Sequence, residues 1–180
     1  MHTGPMFSSK SLELIRTIER GSFAKKKYMA FKPDLDTRGN KYEIKSRFGS
    51  VITAIPLKNL DSIFSIIGKG IDIVAFDEAQ FFDPRIVEVC LKLRRSGIHV
   101  VIAGLDLDRF ERPFGSMGNL MAIANKVVKH SAVCQECGED AHISFRQTDE
   151  KEQIIVGSEN YVALCYDCYY FELSKKRVKN

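Results

Sequence analysis

The sequence predicts an α/β fold, in which a parallel sheet flanked by helices is followed by a small metal-binding lobe. Short apolar runs alternate with segments of helical period over the first 130 residues, and such alternation with short connections is typical of parallel sheets. Two of the runs, residues 71–76 and 98–103, are apolar enough for strands buried on both faces. Two Cys-x-x-Cys pairs follow after residue 131, where the pattern changes to mixed polar sequence.

Length and composition favour one folded core of ordinary size with a small appendage. The chain has 180 residues, of which 44% are apolar and 28% charged, and its formal net charge is +4. It lacks both a long apolar run and a signal-peptide pattern, so we expect a cytoplasmic protein without membrane contact. The basic clusters at 25–27 and 175–179 carry no interleaved aromatic residues, which favours solvated surface over nucleic-acid binding.

Residues 4–11, at the front of the chain, nearly match the phosphate-binding loop G-x-x-x-x-G-K-S/T. Such a loop directs backbone N–H groups and a helix N-terminus at phosphate oxygens. In this pattern Lys10 reaches the β- and γ-phosphates, and Ser11 places its hydroxyl on Mg²⁺. The alternative is a turn that simply starts the helix after it.

Two features of this loop depart from the pattern. Ser9 stands where the second glycine belongs, and a Cβ there costs on the order of 1 kcal/mol or more in strain. Only three residues precede Gly4, where an apolar strand is expected, so we expect neighbouring strand edges to be exposed.

The other elements follow from periodicity, Gly and Pro. For the first part of the chain we predict, in order, helix 10–20, strand 27–32, loop 34–49, strand 51–55 and helix 57–67. In this prediction Gly21 ends the first helix, and the polar loop contains Asp36 and Arg38, two residues apart. The second part predicts strand 71–76, helix 84–96 closed by Gly97, strand 98–103, helix 115–125, and strand-like pieces at 141–146 and 153–156. We place the α/β core at 1–130, the metal-binding lobe at 131–172 and a basic, disordered tail at 173–180.

Two acidic residues, Asp77 and Glu78, end the buried strand 71–76. In open α/β sheets ligands bind at the carboxyl ends of the strands, beside the phosphate loop. Asp77 is thus a candidate Mg²⁺ ligand. Glu78 points the other way if the chain is extended, so it is a candidate base. The alternative is a pair of exposed acids that cap a helix.

The two cysteine pairs, Cys134 with Cys137 and Cys165 with Cys168, predict a zinc site. Four thiolates at this spacing suit one tetrahedral Zn²⁺, and four protein ligands make it structural, not catalytic. Without a secretory signal, metal is favoured over disulfides. Cys90 stands apart at an apolar helical position, and the four histidines show no ligand spacing.

From Gly4 to about Tyr169 the chain resembles the type II thymidine kinases, the zinc-containing group of the human cytosol and many bacteria. The motifs that carry the resemblance are Gly-Pro-Met-Phe-Ser-x-Lys-Ser at 4–11, Glu13-Leu14-Ile15-Arg16, Phe31-Lys32-Pro33 with Asp36-Thr37-Arg38, Asp77-Glu78-Ala79-Gln80-Phe81-Phe82, Gly104-Leu105-Asp106, Pro113-Phe114-Gly115, and the Cys pairs with Gly157 and Tyr161 between them.

The resemblance implies a P-loop NTPase-type core that phosphorylates the 5′-hydroxyl of thymidine or deoxyuridine with ATP, in pyrimidine salvage for DNA synthesis. It also implies a cytoplasmic homotetramer with thymidine triphosphate as a feedback inhibitor. Glu78 resembles the family's general base, and Ser11, Asp36 and Asp77 resemble its Mg²⁺ site. The residues that match ATP and phosphate contacts are Gly4, Pro5, Met6, Phe7, Ser8, Ser9, Lys10, Ser11, Arg38 and Gln80.

The nucleoside pocket of the family includes a lasso loop, which corresponds here to roughly Ser144–Tyr161. The matching substrate contacts are Met6, Phe81, Leu105, Phe110, Ser144, Ile155, Gly157 and Tyr161. Near 108–112 the family has its phenylalanine one place earlier, where this chain has Arg109, so Phe110 is carried over as the nearest aromatic. For the aromatic residues the alternative is plain core packing.

Two other functions compete with an active kinase. Ser9 and the short first strand are compatible with an impaired or truncated kinase homologue. A zinc-ribbon adaptor or binding module without turnover is the alternative from another class. Glu78 favours an enzyme, because a binding module does not need a second carboxylate beside a metal-binding aspartate.

Overall fold

The computed structural model describes residues 1–36, 39–148 and 159–178, which form twelve strands and five helices. The strands are β1 His2–Thr3, β2 Tyr28–Pro33, β3 Glu43–Lys45, β4 Val51–Thr53, β5 Ile55–Leu57, β6 Ile73–Phe76, β7 His99–Gly104, β8 Val128–Lys129, β9 Ala132–Val133, β10 Asp140–Ala141, β11 Ile143–Arg146 and β12 Tyr161–Leu164. The helices are α1 Lys10–Phe23, α2 Ile63–Ile66, α3 Ile86–Arg95, α4 Met117–Ile123 and α5 Tyr166–Val178.

A six-stranded parallel sheet forms the centre, with the strand order β5-β2-β6-β7-β1-β8. The predicted α/β class with a parallel sheet is therefore confirmed. Although β1 has two residues, His2 pairs with Ala103 of β7 on one side and Val128 of β8 on the other. The expectation that the short first strand leaves its neighbours exposed is wrong, because two residues suffice to fill the gap.

Alternate residues of the central strands face two separate apolar cores, as expected for a sheet covered on both sides. Phe31 and Phe76 stack at 5.6 Å in the core beneath α3 and α4. Ala75 and Val101 face the other core, which contains Leu14, Ile15 and Ile18 of α1. The hairpin formed by β3 and β4 closes that second core through Ile44 and Ile52.

Helix α1 continues to Phe23, so the prediction that Gly21 ends it is wrong. A Cβ at Gly21 would lie 2.3 Å from Cδ1 of Ile73 in β6. The glycine therefore allows the helix to approach the sheet closely. It is explained by packing and not by chain termination.

The segment between β2 and β6 differs most from the prediction. The predicted loop contains β3, and the predicted strand 51–55 is divided into β4 and β5. The predicted helix 57–67 is reduced to the single turn α2, because Leu57 belongs to β5 and pairs with Pro33. Leu57, Leu60 and Ile63 still face one core, which explains the helical spacing without a long helix. The predicted strand 153–156 lies outside the described residues.

The C-terminal lobe consists of two antiparallel strand pairs, β9 with β10 and β11 with β12, followed by α5. Its own small core contains Ile143, Phe145, Leu164 and Tyr169. Helix α5 extends through Val178, so the prediction of disorder from residue 173 is wrong as far as residue 178. Among the described residues, no helix has the length and apolarity needed to cross a membrane.

Candidate active site

A cavity of about 380 Å³ lies at the carboxyl ends of the central strands, between the front loop, the β3–β4 hairpin and the lobe. It brings together most of the site residues predicted from the sequence. The predicted residues that line it are Met6, Phe7, Ser8, Ser9, Lys10, Ser11, Asp36, Asp77, Glu78, Phe81, Leu105, Ser144 and Tyr161. Arg38, Ile155 and Gly157 lie outside the described residues. Gly4, Pro5, Gln80 and Phe110 do not line the cavity.

The front loop connects β1 to α1 through backbone conformations that favour glycine. Ser9 has φ 61° and Phe7 has φ 68°, both in the left-handed region. The strain expected at Ser9 is therefore present, because its Cβ occupies a conformation that glycine adopts without cost. At Gly4 a Cβ would lie 2.2 Å from the carbonyl oxygen of His130, so this position requires glycine.

Lys10 and Ser11 begin α1, and their side chains bind different partners: Lys10 binds the loop itself, and Ser11 binds Asp77. The buried Lys10 donates from Nζ to the carbonyl oxygen of Pro5 at 2.5 Å and to Oγ of Ser8 at 3.4 Å. Ser11 donates from Oγ to the carboxylate of Asp77 at 3.0 and 3.2 Å. A hydroxyl and a carboxylate in contact beside a phosphate loop are hard oxygen ligands of the kind Mg²⁺ prefers.

Asp36 is paired with Lys32, a residue that the sequence analysis did not assign. Nζ of Lys32 lies 3.2 Å from Oδ2 of Asp36, and both side chains are buried. Lys32 also donates to the carbonyl oxygen of Glu43 in the hairpin at 3.3 Å. A lysine inside an otherwise apolar strand was the signal in the sequence that could have identified it.

Glu78 and Gln80 form a short hydrogen-bonded chain at the end of β6. Gln80 donates from Nε2 to Oε2 of Glu78 at 2.6 Å, and its Oε1 accepts from the N–H of Leu105 at 3.0 Å. Glu78 has φ 51°, so the expectation of an extended chain at this residue is wrong. As a result Glu78 lines the same cavity as Asp77. Gln80 is buried, and its hydrogen bond fixes the side chain of Glu78.

The apolar end of the cavity is built by the core and the lobe together. The rings of Phe81 and Phe114 meet edge to face at 5.4 Å. The backbone N–H of Met6 donates to Oγ of Ser144 at 2.8 Å, which ties the front loop to the lobe. Phe110 is 47% exposed, so the structure does not place it among the cavity residues. Phe114, from the Pro-Phe-Gly motif, lines the cavity instead.

The four predicted zinc ligands are brought together. The Sγ atoms of Cys134, Cys137, Cys165 and Cys168 all lie within 4.8 Å of one another. The sulfurs of Cys137 and Cys165 are 3.7 Å apart, close to the separation of about 3.8 Å that Zn–S bonds of about 2.3 Å impose in a tetrahedron.

The environment of Cys134 favours the thiolate, the form that binds metal. Burial acts to raise the pKa of this thiol, but backbone hydrogen bonds from Cys165, Cys137 and Glu136 together lower it to about 6. By contrast, burial raises the pKa of the remaining thiol, Cys90, to about 12. The cluster therefore fits a structural zinc ion, and Cys90 is an inert core residue.

A pair of histidines lies just behind the front loop. Nδ1 of His2 and Nε2 of His130 are 3.0 Å apart, and the two rings stack at 5.3 Å. Burial, with the nearby terminal amino group, lowers the pKa of His2 to about 4, and burial also lowers the pKa of His130. Both shifts favour the neutral imidazole. Their spacing of 128 residues gave no signal in the sequence.

Comparison with known proteins relates nearly the whole chain to one family. Residues 1–169 match the sequence profile described as thymidine kinase. The thymidine kinase of Bacteroides fragilis is 40% identical over 178 residues, which are 98% of this chain and 89% of the relative. That of Bacteroides thetaiotaomicron is 41% identical, over 92% of this chain and 83% of the relative. That of Porphyromonas gingivalis is 42% identical, over 92% and 81%.

Proposed function

This chain belongs to the thymidine kinase family, and we propose that it transfers the γ-phosphate of ATP to the 5′-hydroxyl of thymidine or deoxyuridine. The choice of ATP and the roles of individual residues are the proposal. The observation that carries it is that Lys10, Ser11, Asp77 and Glu78 line one and the same cavity. The family does not favour the adaptor alternative.

Residues 4–11 are proposed to bind the triphosphate. The loop ends at the N-terminus of α1, which favours negative charge through its unpaired N–H groups. The ammonium group of Lys10, now held by the carbonyl oxygen of Pro5, is within reach of a phosphate in the loop. Arg38 is proposed as a second cation for the same charge, from the family motif Asp36-Thr37-Arg38.

Ser11, Asp77 and Asp36 are proposed to hold Mg²⁺. All three line the cavity, and the contact between Ser11 and Asp77 already joins two oxygen ligands. When bound, the ion neutralises charge on the transferring phosphate. Lys32 pairs with the buried carboxylate of Asp36 and provides a compensating charge for it.

Glu78 is proposed as the general base that accepts the proton of the 5′-hydroxyl. Its carboxylate lies in the cavity and is held by Nε2 of Gln80 at one oxygen. This hydrogen bond orients the Glu78 carboxylate, because Gln80 is itself fixed by the backbone N–H of Leu105. Positioning of this kind supplies much of the rate in phosphoryl transfer. We therefore assign Gln80 a positioning role, in place of the direct ATP contact expected from the sequence.

The nucleoside is proposed to occupy the apolar end of the cavity, between Phe81, Leu105 and the lobe. Phe81 is fixed edge to face by Phe114, which gives the flat base a rigid wall. Met6, Ser144 and Tyr161 complete this end, while Ile155 and Gly157 are carried over from the family alone. The cysteine cluster joins the segment after β9 to the segment directly after β12. Strand β12 begins with Tyr161 and pairs with β11, which carries Ser144.

Four further properties are proposed, of which the homotetramer and the feedback inhibition rest on the family alone. They are a cytoplasmic location, a homotetramer, feedback inhibition by thymidine triphosphate, and a division into a core of residues 1–130 and a lobe of residues 131–172. Gel filtration with light scattering tests the homotetramer. A titration of thymidine triphosphate into the assay below tests the feedback inhibition.

The test is phosphate transfer by the purified, zinc-loaded full chain. With ATP, Mg²⁺ and thymidine we expect ADP and thymidine monophosphate in equal amounts, and a parallel reaction compares deoxyuridine. Cytidine and adenosine serve as controls for non-specific transfer. Folded protein that holds zinc but forms no thymidine monophosphate would overturn the proposed activity and favour the impaired homologue.

A further inference from the structure

Arg146 and Tyr161 face each other across the two strands that carry the lobe's side of the cavity. Arg146 is the last residue of β11 and Tyr161 the first of β12, and the strand register pairs them. Nε and Nη2 of Arg146 donate to the phenolic oxygen of Tyr161 at 2.9 and 2.5 Å. The guanidinium carbon also lies 5.2 Å from the centroid of the tyrosine ring.

The two residues differ in where they lie relative to the cavity. Tyr161 lines it, whereas Arg146 does not and is 4% exposed. A buried guanidinium has lost most of its hydration, so it requires fixed acceptors for its N–H groups. Tyr161 is one of those acceptors, and its hydroxyl is thereby held at a defined point in the cavity wall.

The direction of these hydrogen bonds determines what Tyr161 can offer a ligand. A guanidinium carries donors only, so the phenolic oxygen must accept both bonds from Arg146. Its lone pairs are then occupied, and the phenolic proton remains. Tyr161 therefore acts toward the cavity as a hydrogen-bond donor. A nucleoside provides matching acceptors in its sugar hydroxyl and base carbonyl oxygens.

We propose that Arg146 is a positioning residue for nucleoside binding, which fixes Tyr161 and commits its O–H to donate to an acceptor oxygen of the nucleoside. This inference rests on the proposed function, because it takes the nucleoside to bind at the lobe's end of the cavity. Arg146 acts through Tyr161 and contacts no substrate itself.

A purely structural role for Arg146 makes a different prediction. If the pair only fastens β11 to β12, its loss lowers thermal stability and affects both substrates alike. If the pair positions a donor, its loss raises the KM for thymidine and leaves the KM for ATP unchanged. The two roles are separated by comparing these constants, not by activity alone.

The experiment measures steady-state kinetics of Arg146→Lys, Tyr161→Phe and the double variant. Loss of one hydrogen bond to the nucleoside corresponds to a rise of about tenfold in its KM, with kcat and the KM for ATP within about twofold of the wild type. Because Arg146 acts only through the Tyr161 hydroxyl, the double variant should match Tyr161→Phe alone. Arg95→Lys, an exposed arginine on α3, is the matched control and should match the wild type.

Two results would overturn the inference: a wild-type KM for thymidine in Tyr161→Phe, or a double variant whose KM is the product of both single effects. Melting curves and zinc content accompany each variant. If Arg146→Lys is unstable, Arg146→Gln takes its place, and its KM for thymidine is compared with that of Tyr161→Phe in the same way. If the wild type itself fails to phosphorylate thymidine, the proposed function falls; calorimetric binding of thymidine to the same variants then still decides the role of Arg146.

Discussion

The hydroxyl of Ser11 donates to both carboxylate oxygens of Asp77, at 3.0 and 3.2 Å. The two residues are 66 positions apart in the chain, one at the start of α1 and the other just after β6. The bond joins the front loop to the acidic strand end. The half of the cavity proposed to handle phosphate is therefore held together by the fold of the sheet.

Replacing Glu78 with Gln is expected to lower kcat by about 10²- to 10⁴-fold, since the amide cannot accept the proton of the 5′-hydroxyl. Binding of ATP should stay within about twofold of the wild type, as followed by calorimetry. Glu88→Gln, on the exposed side of α3, is the matched control. An unchanged kcat in Glu78→Gln would remove Glu78 as the base.

Ser9→Gly should relieve the left-handed backbone at φ 61°. The relief of strain exceeds the entropic cost of glycine, so we expect about 0.5–1 kcal/mol of added stability to urea unfolding, together with higher activity. Lys25, at φ 57° in a turn outside the cavity lining, provides the control: Lys25→Gly should gain similar stability without a change in kcat. A loss of activity in Ser9→Gly would contradict the strain argument.

Gly21→Ala should destabilise the protein by about 1–3 kcal/mol, because the new methyl group overlaps the side chain of Ile73. Gly118 lies in α4, and a Cβ there meets only an ordinary contact with Pro113 at 3.8 Å. Gly118→Ala should therefore stabilise by about 0.4–1 kcal/mol. Urea unfolding measures the change in the free energy of unfolding for both variants. Changes of the same sign in Gly21→Ala and Gly118→Ala would refute the packing role of Gly21.

The histidine pair makes stability depend on pH. Burial lowers the pKa of His2 from 6.5 to about 4 in the folded chain, so the unfolded chain binds the proton first. The stability that comes from keeping His2 neutral is complete above pH 6.5 and is lost as the pH falls toward 4. We expect the free energy of unfolding to decline between pH 6.5 and 4, with a smaller slope in His2→Gln. A His2→Gln variant that keeps the full slope would show that other groups are responsible.

Removal of one zinc ligand tests the link between the lobe and the nucleoside site. Cys134→Ser should lose bound zinc, from one equivalent per chain to nearly none. The KM for thymidine should rise at least tenfold, because the cluster anchors the end of β12, which begins with Tyr161 and pairs with the strand of Ser144. Cys90→Ala is the control and should retain zinc. Tight thymidine binding by a zinc-free variant would separate the two sites.

The sequence predicted what depends on local pattern. The buried runs around β6 and β7 identified the parallel sheet, and the position of Asp77 and Glu78 directly after β6 located the site. The spacing of the cysteines predicted their cluster, because a single turn places the two ligands of each Cys-x-x-Cys pair and four such thiolates suit one Zn²⁺.

Contacts between distant segments could not be predicted in this way. Lys32 with Asp36 and Gln80 with Leu105 depend on how strands and loops meet, and neither partner marks the other in the sequence. The same holds for Arg146, which read as an ordinary strand residue. The prediction of one helix between β2 and β6 was wrong for a related reason. Three apolar residues at helical spacing contact one core, but they lie in a strand, in the connection after it and in a short helix.

The hydrogen bond from Met6 to Ser144 also has a thermodynamic consequence. It ties the front loop, proposed to bind the triphosphate, to the lobe, proposed to bind the nucleoside, so a displacement of the loop changes the energy of the lobe. Any factor by which one substrate changes the affinity of the other must then hold in both directions. Under the proposed function, ATP and thymidine would be linked as reciprocal effectors, and the Met6 hydrogen bond would be one measurable part of that coupling.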